Sequence, residues 1–186
     1  MDEGQLTPPV SANDHAQGPE DAPVTLVEYG DYQCPYCGMA YPIVKAAQRA
    51  LGDQLRFVFR NFPLTEAHQY AEHAAESAEA VGALKGNDAF WSMHDTLYEN
   101  QDTLMDEDLV RYAKKLGVDK ATLMQALEDG TYRPRVRNDF RSGVKSGVNG
   151  TPTFFINGER FNGAWNDARE FISALSETAS SAADSA

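Results

Sequence analysis

Cysteine is scarce in this chain: two in 186 residues, both inside the segment Cys34-Pro35-Tyr36-Cys37. A framework of structural disulfides is thereby excluded, because it needs several separated pairs. A structural zinc site wants four ligands, and there is no second cysteine pair; His15, His68, His73 and His94 are scattered. Covalent haem needs a histidine directly after the second cysteine, where Gly38 stands. No run of about 18 apolar residues occurs, so no segment reads as a membrane span. Basic residues are in deficit, 16 Lys and Arg against 28 Asp and Glu, for a formal net charge of -12. Phosphate repels such a surface, which argues against nucleic acid as a partner; the acidic excess reads as solubility. The start, Met1-Asp2-Glu3-Gly4-Gln5, lacks the basic stretch and apolar run of a secretory leader. The expectation is a cytoplasmic protein, or a periplasmic or extracytoplasmic one where a leader has been removed.

The length suits one domain with a core large enough to need no disulfide. Residues 1–23 are rich in Pro, Gly, Asp and Asn without periodicity, and read as a loosely held arm. Val24 to Tyr29 is a short apolar, β-rich run and Leu55 to Phe59 another. Between them the spacing predicts a helix from about Pro35 to Leu51, stopped by Gly52 and bent at Pro42. Two strands joined by a helix make a parallel crossover.

A helical block follows. Tyr70, Ala71, Ala74, Ala78 and Val81 share one face; Phe90, Met93, His94 and Leu97 mark the next helix; Leu109, Tyr112 and Leu116 a third. Leu123 and Leu127 mark a fourth between Asp119 and Gly130, and Val136, Phe140 and Val144 a fifth. Thr153 to Ile156 is a strand, and Asn157-Gly158 signals a two-residue hairpin turn. A last helix begins near Asn166, and residues 176–186 form a small, polar tail.

The cysteine pair lies at a strand-to-helix junction, where a dithiol can close into a disulfide and reopen. Cys34 sits at the helix start, where unpaired N–H groups and the helix dipole favour the thiolate. Pro35 suits the first helical position, since its missing N–H is not needed there. Cys34 is the expected attacking thiol. Cys37, one turn in and more buried, is expected to resolve the mixed disulfide. Pro152 stands just before a strand, a place where a cis X-Pro bond is used. With that loop against Cys34, the backbone of Thr151 would pair with an extended substrate peptide; spacing alone favours a plain trans turn.

Four segments in order carry a resemblance over roughly Val24 to Leu175: Val27-Glu28-Tyr29 leading to Cys34-Pro35-Tyr36-Cys37, Phe59-Arg60-Asn61-Phe62-Pro63-Leu64, Phe90-Trp91-Ser92-Met93-His94-Asp95, and Gly150 to Gly158. With them the chain resembles the DsbA-like thiol-disulfide oxidoreductases of the thioredoxin superfamily. The resemblance implies an α/β, thioredoxin-like fold of order β-α-β … β-β-α over residues 24–175, with a helical insertion at about 65–146. It implies that Thr151-Pro152 is the cis-proline loop and that Pro42 is the kink proline. It further implies that Glu28 is a buried acid that moves the proton of the second thiol. Cys34, Cys37 and Glu28 are then the catalytic residues, and Pro35, Tyr36, Thr151 and Pro152 face the substrate. The reaction needs no metal or organic cofactor. Its partners are protein thiols or disulfides and a redox partner such as glutathione or the thioredoxin system.

The Pro-Tyr dipeptide between the cysteines matches glutaredoxins, whereas strongly oxidising DsbA proteins have Pro-His. Two alternatives therefore stand beside the oxidoreductase: a glutaredoxin-like protein using glutathione or holding an iron-sulfur cluster, and a non-enzymatic peptide-binding module. Arg133, Arg137, Arg141 and Lys145 recur every four residues. They read as a solvated face pairing with the acidic remainder, the alternative being a contact for the carboxylates of glutathione. His94 and Trp91 read as packing.

Overall fold

The computed structural model describes residues 4–183. Along the chain come β1 (His15–Gln17), β2 (Val24–Gly30), α1 (Pro35–Leu51), a short 3-10 turn and β3 (Leu55–Asn61). The helices α2 (Ala71–Lys85), α3 (Asn87–Glu99), α4 (Asp106–Lys115), α5 (Lys120–Asp129) and α6 (Arg133–Lys145) follow. β4 (Thr153–Ile156), β5 (Glu159–Arg160) and α7 (Ala168–Ala183) close the order. The strands form one sheet in the order β1-β3-β2-β4-β5. β2 and β3, joined through α1, are neighbours in it, so the β-α-β unit and the returning β-β-α unit share one sheet. The chain divides into two compact units.

Among the described residues, the first unit holds 4–29, Met39–Arg60 and 142–183. Its core is built from strand residues whose branched and aromatic side chains suit a pleated surface: Leu26, Val27, Phe57, Phe59, Phe154 and Phe155 are all buried. Phe171 of α7 lies with its ring 5.0 Å from that of Phe154. The hairpin turn is as expected: Asn157 and Gly158 have φ of 49° and 88°, the left-handed pair such a turn requires.

Residues 4–23 and 176–183 are more structured than their composition suggests. The loosely held arm expected over residues 1–23 is, from Gly4 on, part of the first unit. β1 pairs antiparallel with β3, placing His15 opposite Phe59 and Gln17 opposite Phe57. The Leu6 N–H donates to the Gly158 carbonyl at 2.8 Å, and the Thr7 N–H to the Ser146 hydroxyl at 2.8 Å. Arg60 gives the physical reason for this order. Its buried guanidinium donates to the Asp14 carboxylate at 2.8 and 3.1 Å, to Tyr29 Oη at 2.9 Å, and to the carbonyls of Pro8 and Pro9 at 3.0 and 3.2 Å. Burial opposes its charge, but the bonds to Asp14 and Tyr29 outweigh that and hold the proton more firmly than usual. At the other end, the tail expected from residue 176 is helical through Ala183, and Ala179 is buried.

The second unit holds Gly30–Gly38 and Asn61–Arg141. The dithiol segment thus counts with the helices rather than with the sheet. Small residues on α2, Ala71, Ala74 and Ala78, are fully buried and let α3 approach closely. Phe90, Trp91 and His94 of α3 gather with Tyr32 and Tyr98 into an aromatic cluster, in which Tyr32 Oη and His94 Nδ1 are 3.0 Å apart. His94 and Trp91 are therefore packing residues. α5 carries the expected signals: the Asp119 carboxylate accepts the Thr122 N–H at 3.0 Å, and Gly130 is left-handed at φ 61°.

The expected apolar row of α6 holds at Val136, while Val144 is exposed. Of the basic row, Arg133 Nε donates at 3.0 Å to Glu76, whose side chain is buried, so this pairing with an acid lies below the solvated face. Asn61, Glu79 and Asp139 form a buried polar knot. The Asn61 amide donates to Glu79 at 2.7 Å and to Asp139 at 3.0 Å, and Arg135 stands 3.7 Å from Glu79.

Candidate active site

The dithiol segment is placed by the turn that enters α1. Pro35 is the first residue of that 17-residue helix, so Cys34 stands at its cap and Cys37 within its first turn. Both cysteines stand as thiols and both are buried, Cys34 at 3% exposure and Cys37 at 0%. Cys37 is the deeper, as expected, but the contrast is narrow. Tyr36 between them is 62% exposed.

The peptide groups of Cys34 are held from two directions within the second unit. Its N–H donates to the Asp31 carbonyl at 3.1 Å and to Asp31 Oδ1 at 3.2 Å. Its carbonyl accepts the Gly38 N–H at 3.1 Å, the first bond of the helix, and Gln101 Nε2 at 2.9 Å. The same Gln101 amide donates to the Tyr32 carbonyl at 2.9 Å, so one side chain spans the turn from Tyr32 to Cys34. A side chain at position 38 would collide with Gln101, so the glycine after Cys37 makes room for that bridge. Gln33 Oε1 accepts the Tyr70 N–H at 2.8 Å and fastens the turn to the start of α2.

A cleft of about 450 Å³ opens beside Pro35, lined by Gln33, Tyr70, Gln101, Leu104 and Met105. Met105 is half exposed there, an apolar contact of the kind small clefts offer an extended ligand.

The remaining residues expected at the site lie in the first unit. Glu28 is buried at 2% on β2, opposite Phe154 of β4, and the next pair in register is Tyr29 with Thr153. Glu28 and the Thr151-Pro152 loop that precedes β4 are thus brought to the same end of one strand pair. The Thr151-Pro152 peptide bond is cis, as expected.

Sequence reasoning missed Asp31 and Gln101, and set His68 aside as an acid-base candidate because it is not adjacent in sequence to the dithiol. Asp31 carried a faint signal, an acid three residues before Cys34, in a position to accept the N–H groups two and three residues further on. His68 and Gln101 lie far along the chain, and no local pattern marks them.

A family model described as Thioredoxin matches residues 11–174. Na(+)/H(+) antiporter NhaA 3 of Salinispora tropica is 46% identical over 175 residues, covering 93% of this chain and 25% of that protein. The chain spans about a quarter of the length of the curated relatives it matches. BdbD from Bacillus subtilis is similar in structure with a TM-score of 0.82 and 28% identity, covering 96% of this chain and 97% of that one. The thiol-disulfide exchange protein alpha-DsbA2 from Wolbachia pipientis shares the fold, with a TM-score of 0.72, 23% identity and coverage of 89% and 88%. With a dithiol at the head of α1 and a cis proline before β4, the chain belongs to the thioredoxin family, as a DsbA-like protein with its thioredoxin-like α/β fold.

Proposed function

We propose that this chain exchanges disulfides with protein thiols through Cys34 and Cys37. The observation that carries the reading is the placement of Cys34. It caps a 17-residue helix whose dipole favours the thiolate, and its N–H and carbonyl are both pinned by side chains of the same unit.

In the reducing direction the Cys34 thiolate attacks one sulfur of a substrate disulfide. A Cys34–substrate bond forms, the substrate S–S bond breaks, and the departing sulfur takes up a proton. Cys37 then gives up its proton, attacks Cys34 Sγ, and releases the substrate as a dithiol. The protein is left with a Cys34–Cys37 disulfide, and another thiol must reduce it before the next turn. The oxidising direction is the same sequence reversed. Glu28, buried on β2, is our proposed carrier of the Cys37 proton. Tyr36 and the residues Pro35, Thr151 and Pro152 are the proposed contacts of the substrate chain.

Replacing Cys34 by Ser abolishes reduction of insulin disulfides, while Cys37→Ser accumulates covalent adducts visible on a non-reducing gel. Equal, mild losses from both changes would overturn the assignment. Equilibration against glutathione, read by thiol alkylation, gives the direction. A potential of roughly -120 mV marks an oxidant and roughly -270 mV a reductant. The antiporter names of the curated relatives bring one candidate polypeptide partner, a membrane Na(+)/H(+) antiporter, and the Cys37→Ser trap reads out that pairing. The glutaredoxin-like alternative is tested by iron content and colour of the purified protein.

A further inference from the structure

Asp31 is three residues ahead of the attacking thiol, and its side chain is entirely buried. A buried carboxylate is costly unless every lone pair finds a donor. Here Oδ1 accepts the Gln33 N–H at 2.7 Å and the Cys34 N–H at 3.2 Å. Oδ2 accepts the Leu64 N–H at 2.8 Å and stands 2.8 Å from His68 Nδ1. The three backbone partners are N–H groups, and an unprotonated carboxylate takes the Nδ1–H of His68 as its fourth.

An asparagine would serve the first two amides as well, since one oxygen is enough for the turn. Among the described residues the second oxygen is used by Leu64 and His68, which come from the stretch between β3 and α2. His68 is mostly buried, with 18% of its side chain in contact with solvent.

We propose that Asp31 and His68 form a positioning pair that sets how firmly Cys34 holds its thiolate. The Asp31 carboxylate fixes the Cys34 peptide group and lays a negative charge beside it, and the hydrogen bond from His68 Nδ1 draws that charge toward Oδ2, away from the Cys34 side. A like charge near a thiolate disfavours it, against the helix dipole that favours it. The balance between the two governs how oxidising the dithiol is, because a more stable thiolate stabilises the reduced form. This rests on the reading of Cys34 as the attacking thiol.

The test is the equilibrium of the Cys34–Cys37 pair against glutathione, measured by alkylation for the wild type, Asp31→Asn, His68→Gln and the double variant. Asp31→Asn shifts the constant toward the dithiol by about tenfold, about 30 mV for a two-electron couple. His68→Gln shifts it toward the disulfide by about threefold, the smaller effect of weakening one partly solvated hydrogen bond. In the Asp31→Asn background, His68→Gln leaves the constant where it was. Unchanged constants, or single variants that move it the same way, overturn the pair. If Asp31→Asn does not fold, His68→Gln decides: a shift toward the disulfide supports the pair, and no shift or the opposite shift overturns it. A wild type inert toward glutathione disulfide sinks the exchange reading itself; a wild type that exchanges while the variants match it sinks only the pair.

Discussion

Gln101 shows how one distant side chain can hold the backbone at the dithiol. Its amide bridges the carbonyls of Tyr32 and Cys34, each at 2.9 Å. Removing it in Gln101→Ala leaves both carbonyls to other partners, at about 1 kcal/mol for each lost bond. A chemical denaturation midpoint and the rate of mixed-disulfide formation should both fall. Gly38→Ala should reproduce the rate defect with less loss of stability, because it only pushes a flexible side chain aside.

Asp139 gives a different signal. Burial, with Glu79 adding to it, pushes its carboxyl up to about 6, while Arg135 and Asn61 pull the other way. The folded value is above the unfolded one, so the folded state holds this proton more tightly. Its contribution to stability is full at acidic pH, below the unfolded value, and is lost as pH rises through about 6. The size is on the order of 3 kcal/mol from the displacement of the pKa. Unfolding curves of Asp139→Asn should lack this falling limb; parallel pH profiles for variant and wild type would refute it.

Elements divide by how local their causes are. α5 is written in its ends: Asp119 accepts the Thr122 N–H and Gly130 takes the left-handed turn, both recognisable from residue type and spacing. The same holds for the Asn157-Gly158 turn and for α1 between Pro35 and Leu51. β1 has no such mark. His15-Ala16-Gln17 is neither apolar nor β-branched, and it becomes a strand because β3 offers an edge and Arg60 needs an acid. The ordered arm is therefore a consequence of a buried guanidinium elsewhere. Asp14→Ala strands that charge and should cost about 3–5 kcal/mol, the usual penalty for removing one partner of a buried pair. Hydrogen exchange at His15 to Gln17 should rise with it, and thermal melting reads the loss. A variant that melts with the wild type would show the pair to be dispensable.

For the chain taken together, charge decides the most accessible test. The net charge of -12 sets a negative field that draws basic polypeptides and repels acidic ones. Reduction of a disulfide in a Lys-rich peptide should outrun that of its Glu-rich counterpart by roughly tenfold at low ionic strength, converging as salt shortens the screening length. Equal rates at low salt would show that the field around the dithiol differs from the global charge. The helices long enough to notice in the described residues are all interrupted by polar groups, and none is long and apolar enough to cross a membrane. The quarter or so of each antiporter that this chain matches corresponds to the segment that the thioredoxin family model covers in this chain.

The cis loop at Pro152 came from the resemblance, while spacing and residue type alone were enough for the dithiol, the helix that carries it and the order of strands and helices from Val24 on. Those features depend on local backbone preferences and on periodicities of two and 3.6, which a linear reading can follow. Beyond its reach were the contacts of Asp31 with His68 and Leu64, the bridge made by Gln101, and the order of residues 4–23. Each of these exists because a buried polar group had to find its partner from a remote part of the chain once water was excluded, and burial is known only after folding.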